Sequence, residues 1–186
     1  MDFELQTGRR FLGLWCVLVW LAGALPAMPS LADALTGQPA PDLVLHGIDG
    51  HDYRLSALRG KVVIVTFWAT WCAPCREELP LLSAFAKAHA GDGLRVLAFA
   101  LDGPDTLSQV RSMARTLDFP VGLLGSSWAG EYGRIWRIPV SFVLDRQGRL
   151  VFNSLSSSGS AWDRESLQRR ILPLLQSGPA GSAASR

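Results

Sequence analysis

Two cysteines three positions apart, Cys72 and Cys75, are the residues whose type and spacing say most about chemistry. They lie in Trp71-Cys72-Ala73-Pro74-Cys75, at the start of a helical pattern and just after an apolar, β-branched run from Lys61 to Trp68. A cysteine at a helix N-terminus faces free backbone N–H groups and the positive end of the helix dipole. Both lower the pKa of the thiol and favour the thiolate, which is the attacking species in disulfide exchange. Cys75, one turn further in, is expected to be the more buried thiol and to resolve a mixed disulfide formed on Cys72. Pro74 fixes the backbone between the two. The chemistry this arrangement suits is the opening and closing of a Cys72–Cys75 disulfide.

Three plainer uses compete. A purely structural disulfide closing four residues contributes about 2 kcal/mol by loop entropy, against about 3 kcal/mol for fifteen residues, so this pair is a poor staple. A tetrahedral zinc site needs two more ligands, and only His46, His51 and His89 are on offer, none in a ligand-pair motif; no metal is expected. A merely apolar use of the pair fits poorly with Trp71 and with the helix-opening position.

Residues around the pair carry weaker signals. Thr66 precedes Cys72 by six positions on the apolar run. Glu78 follows Cys75 by three and shares its helix face. A carboxylate there either relays a proton to and from the inner thiol or is a surface acid that complements the helix dipole. Glu77 reads as the surface acid. Pro80, interior to the helix, should kink it. Ile138-Pro139 opens a strand, where proline is either cis or a trans residue at a sheet edge.

The elements that must position these groups follow from pattern. Leu43–His46 and His51–Leu55 flank the turn dipeptide Asp49-Gly50 and read as a hairpin. Lys61–Trp68 reads as a central strand buried on both faces. A helix from about Cys72 to Ala88 has Leu79, Leu82, Phe85 and Ala86 on its inner face. Leu94–Leu101 is a second buried strand, and Asp105 is expected to cap a helix running to about Leu117. Strands at Pro139–Leu144 and Arg149–Ser154 enclose a turn at Asp145–Gly148, and Arg164–Leu175 is a closing amphipathic helix. The order implies a right-handed parallel crossover followed by an antiparallel pair, hence an α/β fold: a central mixed sheet with helices on both faces. The first thiol then sits at the carboxyl edge of the central strand, the usual place for chemistry in such sheets.

The chain of 186 residues, 48% hydrophobic, suffices for one domain with its own core. Net charge is +2, and only Arg9-Arg10 and Arg169-Arg170 are adjacent basic pairs; no nucleic-acid partner is expected. Residues 1–32 read apart from the domain. Arg9-Arg10 precedes an uncharged run, Phe11–Ala32, densest from Phe11 to Leu25. Fifteen apolar residues is a signal-peptide core length, whereas about 20 span a bilayer. Ser30-Leu31-Ala32 offers small residues for cleavage before Asp33. Cleavage and retention as a membrane anchor both stay open, and both put the domain outside the cytoplasm. Cys16 lies inside this segment. Residues 33–37 read as a linker, with Thr36–Pro41 leading into a domain at 38–175, and 176–186 as a polar tail.

Taken together, these motifs resemble the membrane-facing thioredoxin-like thiol–disulfide oxidoreductases of bacteria, the TlpA/ResA/CcmG-type group. The likeness runs from about Gln38 to Leu175. It is carried by Ala40-Pro41-Asp42, by Leu58-Arg59-Gly60-Lys61, by the run from Phe67-Trp68-Ala69-Thr70 through Trp71–Cys75 to Arg76-Glu77-Glu78-Leu79-Pro80, and by Ile138–Asp145 with Gly148. The resemblance implies a thioredoxin-like fold with an N-terminal β-hairpin and a segment, Asp102–Pro120, added after the second core strand. It implies that Pro139 is cis beside the thiols, that Glu78 is the acid of the site, and that Thr66 stands where general thioredoxins carry a buried aspartate. Clients would contact Trp71, Ala73, Pro74, Arg137 and Ile138. Two departures stand out. Arg137 replaces a usual glycine, where a cation would deepen thiolate stabilisation, select an acidic partner or simply be solvated. Val140-Ser141 replaces a usual pair of threonines.

The expected function is therefore an exported enzyme that reduces disulfides of client proteins, in cytochrome c maturation or a related envelope process. It would act in the periplasm or at the outer face of a bacterial cytoplasmic membrane. The resemblance implies re-reduction by a membrane electron donor and no metal, nucleotide or flavin cofactor. Two other readings remain: a thiol peroxidase on the same fold, against which Ala69 stands where a threonine is usual, and a module that only holds copper on the two thiolates.

Overall fold

The computed structural model describes residues 36–155 and 162–177. The expected signal or anchor segment, Cys16 and the tail beyond residue 177 lie outside the described residues. In chain order the elements are β1 (Val44–His46), β2 (Asp52–Arg54), β3 (Val62–Trp68), α1 (Ala73–Ala88), β4 (Leu94–Ala100), α2 (Leu107–Ala114), β5 (Val121–Leu123), β6 (Val140–Leu144), β7 (Leu150–Asn153) and α3 (Arg164–Gln176). Short 3₁₀ turns occupy Leu55–Leu58, Pro104–Thr106 and Gly130–Tyr132.

Five strands form one mixed sheet in the order β5-β4-β3-β6-β7. β3 is its centre, and every residue of it is buried. It pairs in parallel with β4, from Val62 opposite Leu94 to Trp68 opposite Ala100, and antiparallel with β6, from Val63 opposite Leu144 to Phe67 opposite Val140. The parallel crossover and the antiparallel β6–β7 pair are both as expected. β5, which pairs in parallel with β4, is an addition the pattern did not predict.

Alternation along the strands divides the core in two. Val63, Val65 and Phe67 face a layer built from the hairpin, the 3₁₀ turns at Leu55–Leu58 and Gly130–Tyr132 and the β5–β6 loop, with Leu45, Leu55, Tyr132 and Ile135 all buried in it. Phe67 stacks on Phe99 at 5.3 Å and meets the edge of Phe142 at 5.9 Å. Val62 and Ile64 face the opposite side, against Leu82 and Ala86 of α1 and Leu167 and Ile171 of α3. At the carboxyl end of that same side, Trp68, Ala98 and Ala100 meet Leu79 of α1 and Val110 of α2. The α-helices thus gather on one face and not on both as the pattern implies: the other face is covered by 3₁₀ turns and a second small sheet, whose buried Leu45, Leu55 and Tyr132 fill the layer where a helix was expected. That small sheet is the expected hairpin, β1 antiparallel to β2. It docks on β5 through an isolated bridge between Gly47 and Gly122 and through Ile48 N–H donating to Val121 O at 2.9 Å.

Two further expectations change. Asp105 lies within the 3₁₀ turn, and no side chain caps the N-terminus of α2. The stretch Thr36–Pro41 is already tied to the sheet: Gly37 N–H donates to Leu150 O at 2.7 Å, and Leu150 N–H to Gln38 O at 3.0 Å. Backbone donors and acceptors at the open edge of β7 take up this incoming chain.

Candidate active site

β3 ends at Trp68, and four residues later the chain reaches Cys72, the N-cap of α1. Cys72 has extended backbone angles, and its sulfur accepts from Cys75 N–H at 3.2 Å. Ala73 and Pro74 occupy the first helical positions, where proline costs no hydrogen bond. Cys72 and Cys75 are joined by a disulfide with their Cα atoms 5.3 Å apart. Cys72 is 4% exposed and Cys75 1%, the order expected for an outer and an inner sulfur. Trp71 beside them is 68% exposed, and Ala73 and Pro74 are exposed as well.

The turn between β3 and α1 is held from two sides. Asp102, buried just past the end of β4, accepts from Thr70 N–H at 2.9 Å and from the Thr70 hydroxyl. Arg76, on the first turn of α1, donates to Thr70 O at 3.0 Å. Asp102, which the sequence marks only as part of an added segment, thus joins the site through a partner 32 residues away that no local pattern reveals.

Ile138-Pro139 is a cis peptide, and Pro139 is buried. Ile138 packs against the apolar cluster that contains both cysteines. Arg137 is half-buried. Its guanidinium donates to Ser154 O and to Leu155 O, the latter at 3.0 Å, and lies 5.3 Å from the Trp136 ring. It ties the chain entering β6 to the chain leaving β7.

Glu78 is 3% exposed. Of its two sequence readings, the exposed surface acid is excluded by this burial. Desolvation pushes its carboxyl up to about 7, and a hydrogen bond from Trp162 N–H to Oε2, 3.0 Å long, pulls the other way. Thr66 and Ser141 lie deeper. The Trp162 indole N–H donates to Ser141 Oγ at 3.0 Å, Ser141 Oγ donates to Thr66 Oγ1 at 3.0 Å, and Thr66 Oγ1 donates to Val140 O at 3.4 Å. A neutral chain of an indole and two hydroxyls thus pins β3 to β6. The three histidines are dispersed: His46 pairs with Asp52, His51 with Asp49, and His89 with Asp92 at the far end of α1.

The model of the AhpC/TSA family matches residues 36–153, well over half of the chain. This protein belongs to the AhpC/TSA family. It is similar to the thiol-disulfide oxidoreductase ResA of Bacillus thuringiensis (strain Al Hakam), at 33% identity over 118 residues, which are 62% of this chain and 66% of that protein. It is also similar to the thioredoxin-like protein YneN of Bacillus subtilis (strain 168), at 36% identity over 115 residues, 60% of this chain and 66% of that one. The match thus spans just under two thirds of these relatives. Among solved structures it is similar to a thiol:disulfide interchange protein of the thioredoxin family from Chlorobium tepidum TLS. That pair shares 29% identity with a TM-score of 0.63, over 81% of this chain and 99% of the other. The expected kinship with the ResA-type group and the thioredoxin-like fold are both borne out.

Proposed function

We propose that this AhpC/TSA-family chain is a thiol–disulfide oxidoreductase that reduces disulfides in client proteins. The observation that carries the reading is a closable Cys72–Cys75 pair at the N-terminus of α1, the inner sulfur one turn from a buried carboxyl. In the reduced protein the Cys72 thiolate attacks a client disulfide. A Cys72–client bond forms and the other client sulfur leaves, taking up a proton. Cys75 then yields its proton to Glu78 and attacks the Cys72 sulfur. The client's second sulfur is released, Cys72–Cys75 closes, and two electrons have passed to the client. The α1 N-terminus favours the first thiolate, and Glu78 supplies a base of matched affinity beside the second. Trp71, Ala73, Pro74 and the backbone at Ile138-Pro139 form the surface a client segment meets.

The names of the ResA and interchange-protein relatives support this reading over a thiol peroxidase, as does Ala69 in the place of the usual threonine. The proposal extends to an exported protein, held or delivered through residues 1–32. It would be re-reduced by a membrane electron donor and serve cytochrome c maturation or a related envelope process in a bacterium. The test is trapping. Cys75→Ser should accumulate mixed disulfides with clients through Cys72, and Cys72→Ser should abolish reduction of insulin. Full insulin reduction by Cys72→Ser would sink the proposal, and rapid peroxide consumption with no insulin reduction would transfer the site to the peroxidase reading.

A further inference from the structure

We propose that Trp162 is a positioning residue for this site: it aims its main-chain N–H at Glu78 and thereby sets the pH range in which that carboxyl can accept a proton. The inference rests on the reading of Cys72–Cys75 as an exchanging pair with Glu78 as its base.

Among the described residues, Trp162 N–H is the one donor to the Glu78 carboxyl. A buried carboxylate with a single donor depends strongly on where that donor points. Three separate interactions fix it. The indole N–H is anchored on Ser141 Oγ at 3.0 Å, and Ser141 is itself held by Thr66 and, through its own N–H, by Ser154 Oγ at 2.8 Å. The ring is 5% exposed and packs 5.6 Å from Phe152. Directly after it, Asp163 and Ser166 form a reciprocal capping box at the start of α3, and Trp162 shares a core cluster with Leu167. An apolar residue before the cap packed with one four positions into the helix fixes the angle at which the chain enters. The amide next to the cap is therefore rigid, and it faces α1 and not solvent.

Charges do not compete for this role. Arg137 is engaged by the carbonyls of Ser154 and Leu155, and Arg170 of α3 lies over the Phe152 ring at 4.2 Å. Among the described residues, no charged group of β3, β6, β7 or α3 shifts the Glu78 carboxyl; desolvation pushes it up and the Trp162 amide pulls it down. On α1 itself the titratable neighbour on the same face is Cys75, three residues back, with its sulfur in the disulfide. A donor that favours the ionised form holds the proton affinity below what burial alone would impose. Loosening the amide must therefore raise it.

The test is a carboxyl-carbon NMR titration of Glu78 in the full-length oxidised protein, with the pH profile of insulin reduction alongside. Trp162→Phe removes the indole anchor and keeps an apolar ring. Ser141→Ala removes the acceptor and keeps Trp162, so the link can be read even if the first variant folds poorly. Each should raise the Glu78 inflection, by up to roughly 1 unit for loss of one main-chain donor, and move the acid limb of the reduction profile the same way. The double variant should shift no further than the larger single. A merely structural role would lower the rate at every pH and leave the limb in place. Unmoved inflections in both variants, with reduction intact, overturn the proposal. A shifted inflection without any insulin reduction supports the Trp162–Glu78 link and removes the redox reading instead.

Discussion

Asp102 takes hydrogen bonds from both the amide and the hydroxyl of Thr70. One buried side chain at the end of β4 thus holds the turn that carries the chain from the central strand to Cys72. Asp102→Ala leaves the Thr70 amide without that acceptor, at a cost of about 1–3 kcal/mol, and frees the turn. Urea unfolding should show the loss, and the reduced variant should alkylate more slowly at Cys72 because the N-cap is no longer held. Thr70→Val keeps the amide bond and should show the smaller effect on both measurements.

Glu78 gives the fold a pH signature. Burial raises its carboxyl from 4.5 to about 7 in the folded state, so the folded chain holds a proton that the unfolded chain has already released. Stability from this group is fully present below about 4.5 and is lost as pH rises to about 7. Over that window the loss is on the order of 3 kcal/mol. Glu78→Gln cannot ionise. Its stability relative to the wild type should therefore improve steadily across the window and level off above it, while its rate of client release falls. Denaturation midpoints at a series of pH values check the first point, and single-turnover kinetics the second.

Trp71 is 68% exposed beside a nearly buried sulfur. A large, rigid ring in that position suits contact with a protein client and not support of the core. Trp71→Ala should raise KM for a protein disulfide about tenfold, equivalent to about 1.4 kcal/mol. Its rate with a small disulfide that cannot reach the ring should change little. A matching fall with both substrates would show instead that the ring acts on the sulfur itself.

Gly122 is required by close approach. A Cβ there would collide with His46 O and lie 2.7 Å from Leu45 Cδ1. Gly122→Ala should cost about 1–3 kcal/mol through overpacking and lift the hairpin from β5. Faster hydrogen exchange at the Ile48 amide, which bonds Val121 O, is the local readout.

The legible parts of the fold were those written in local pattern. Asp49-Gly50 gave the hairpin, the unbroken β-branched run gave β3, and the spacing of Leu79, Leu82 and Ala86 gave α1. The redox pair was legible because its whole geometry spans four residues. β5 was not, because Val121-Gly122-Leu123 is too short to show a period and owes its strand conformation to pairing with β4. Asp102 and Trp162 escaped notice for a related reason: their partners lie 32 and 84 residues away, and nothing local marks either one. The two readings left open for Glu78 could be separated only by burial, which α3 and the chain before it supply.

The bridge between Gly47 and Gly122 joins the opening hairpin to the stretch between β4 and β6. Two pieces that look like independent embellishments of a smaller scaffold are thereby mutually dependent. A chimera that transplants the strand–helix unit around the cysteines would need both or neither, since either alone would leave its mate's backbone and the Leu45 side chain open to water.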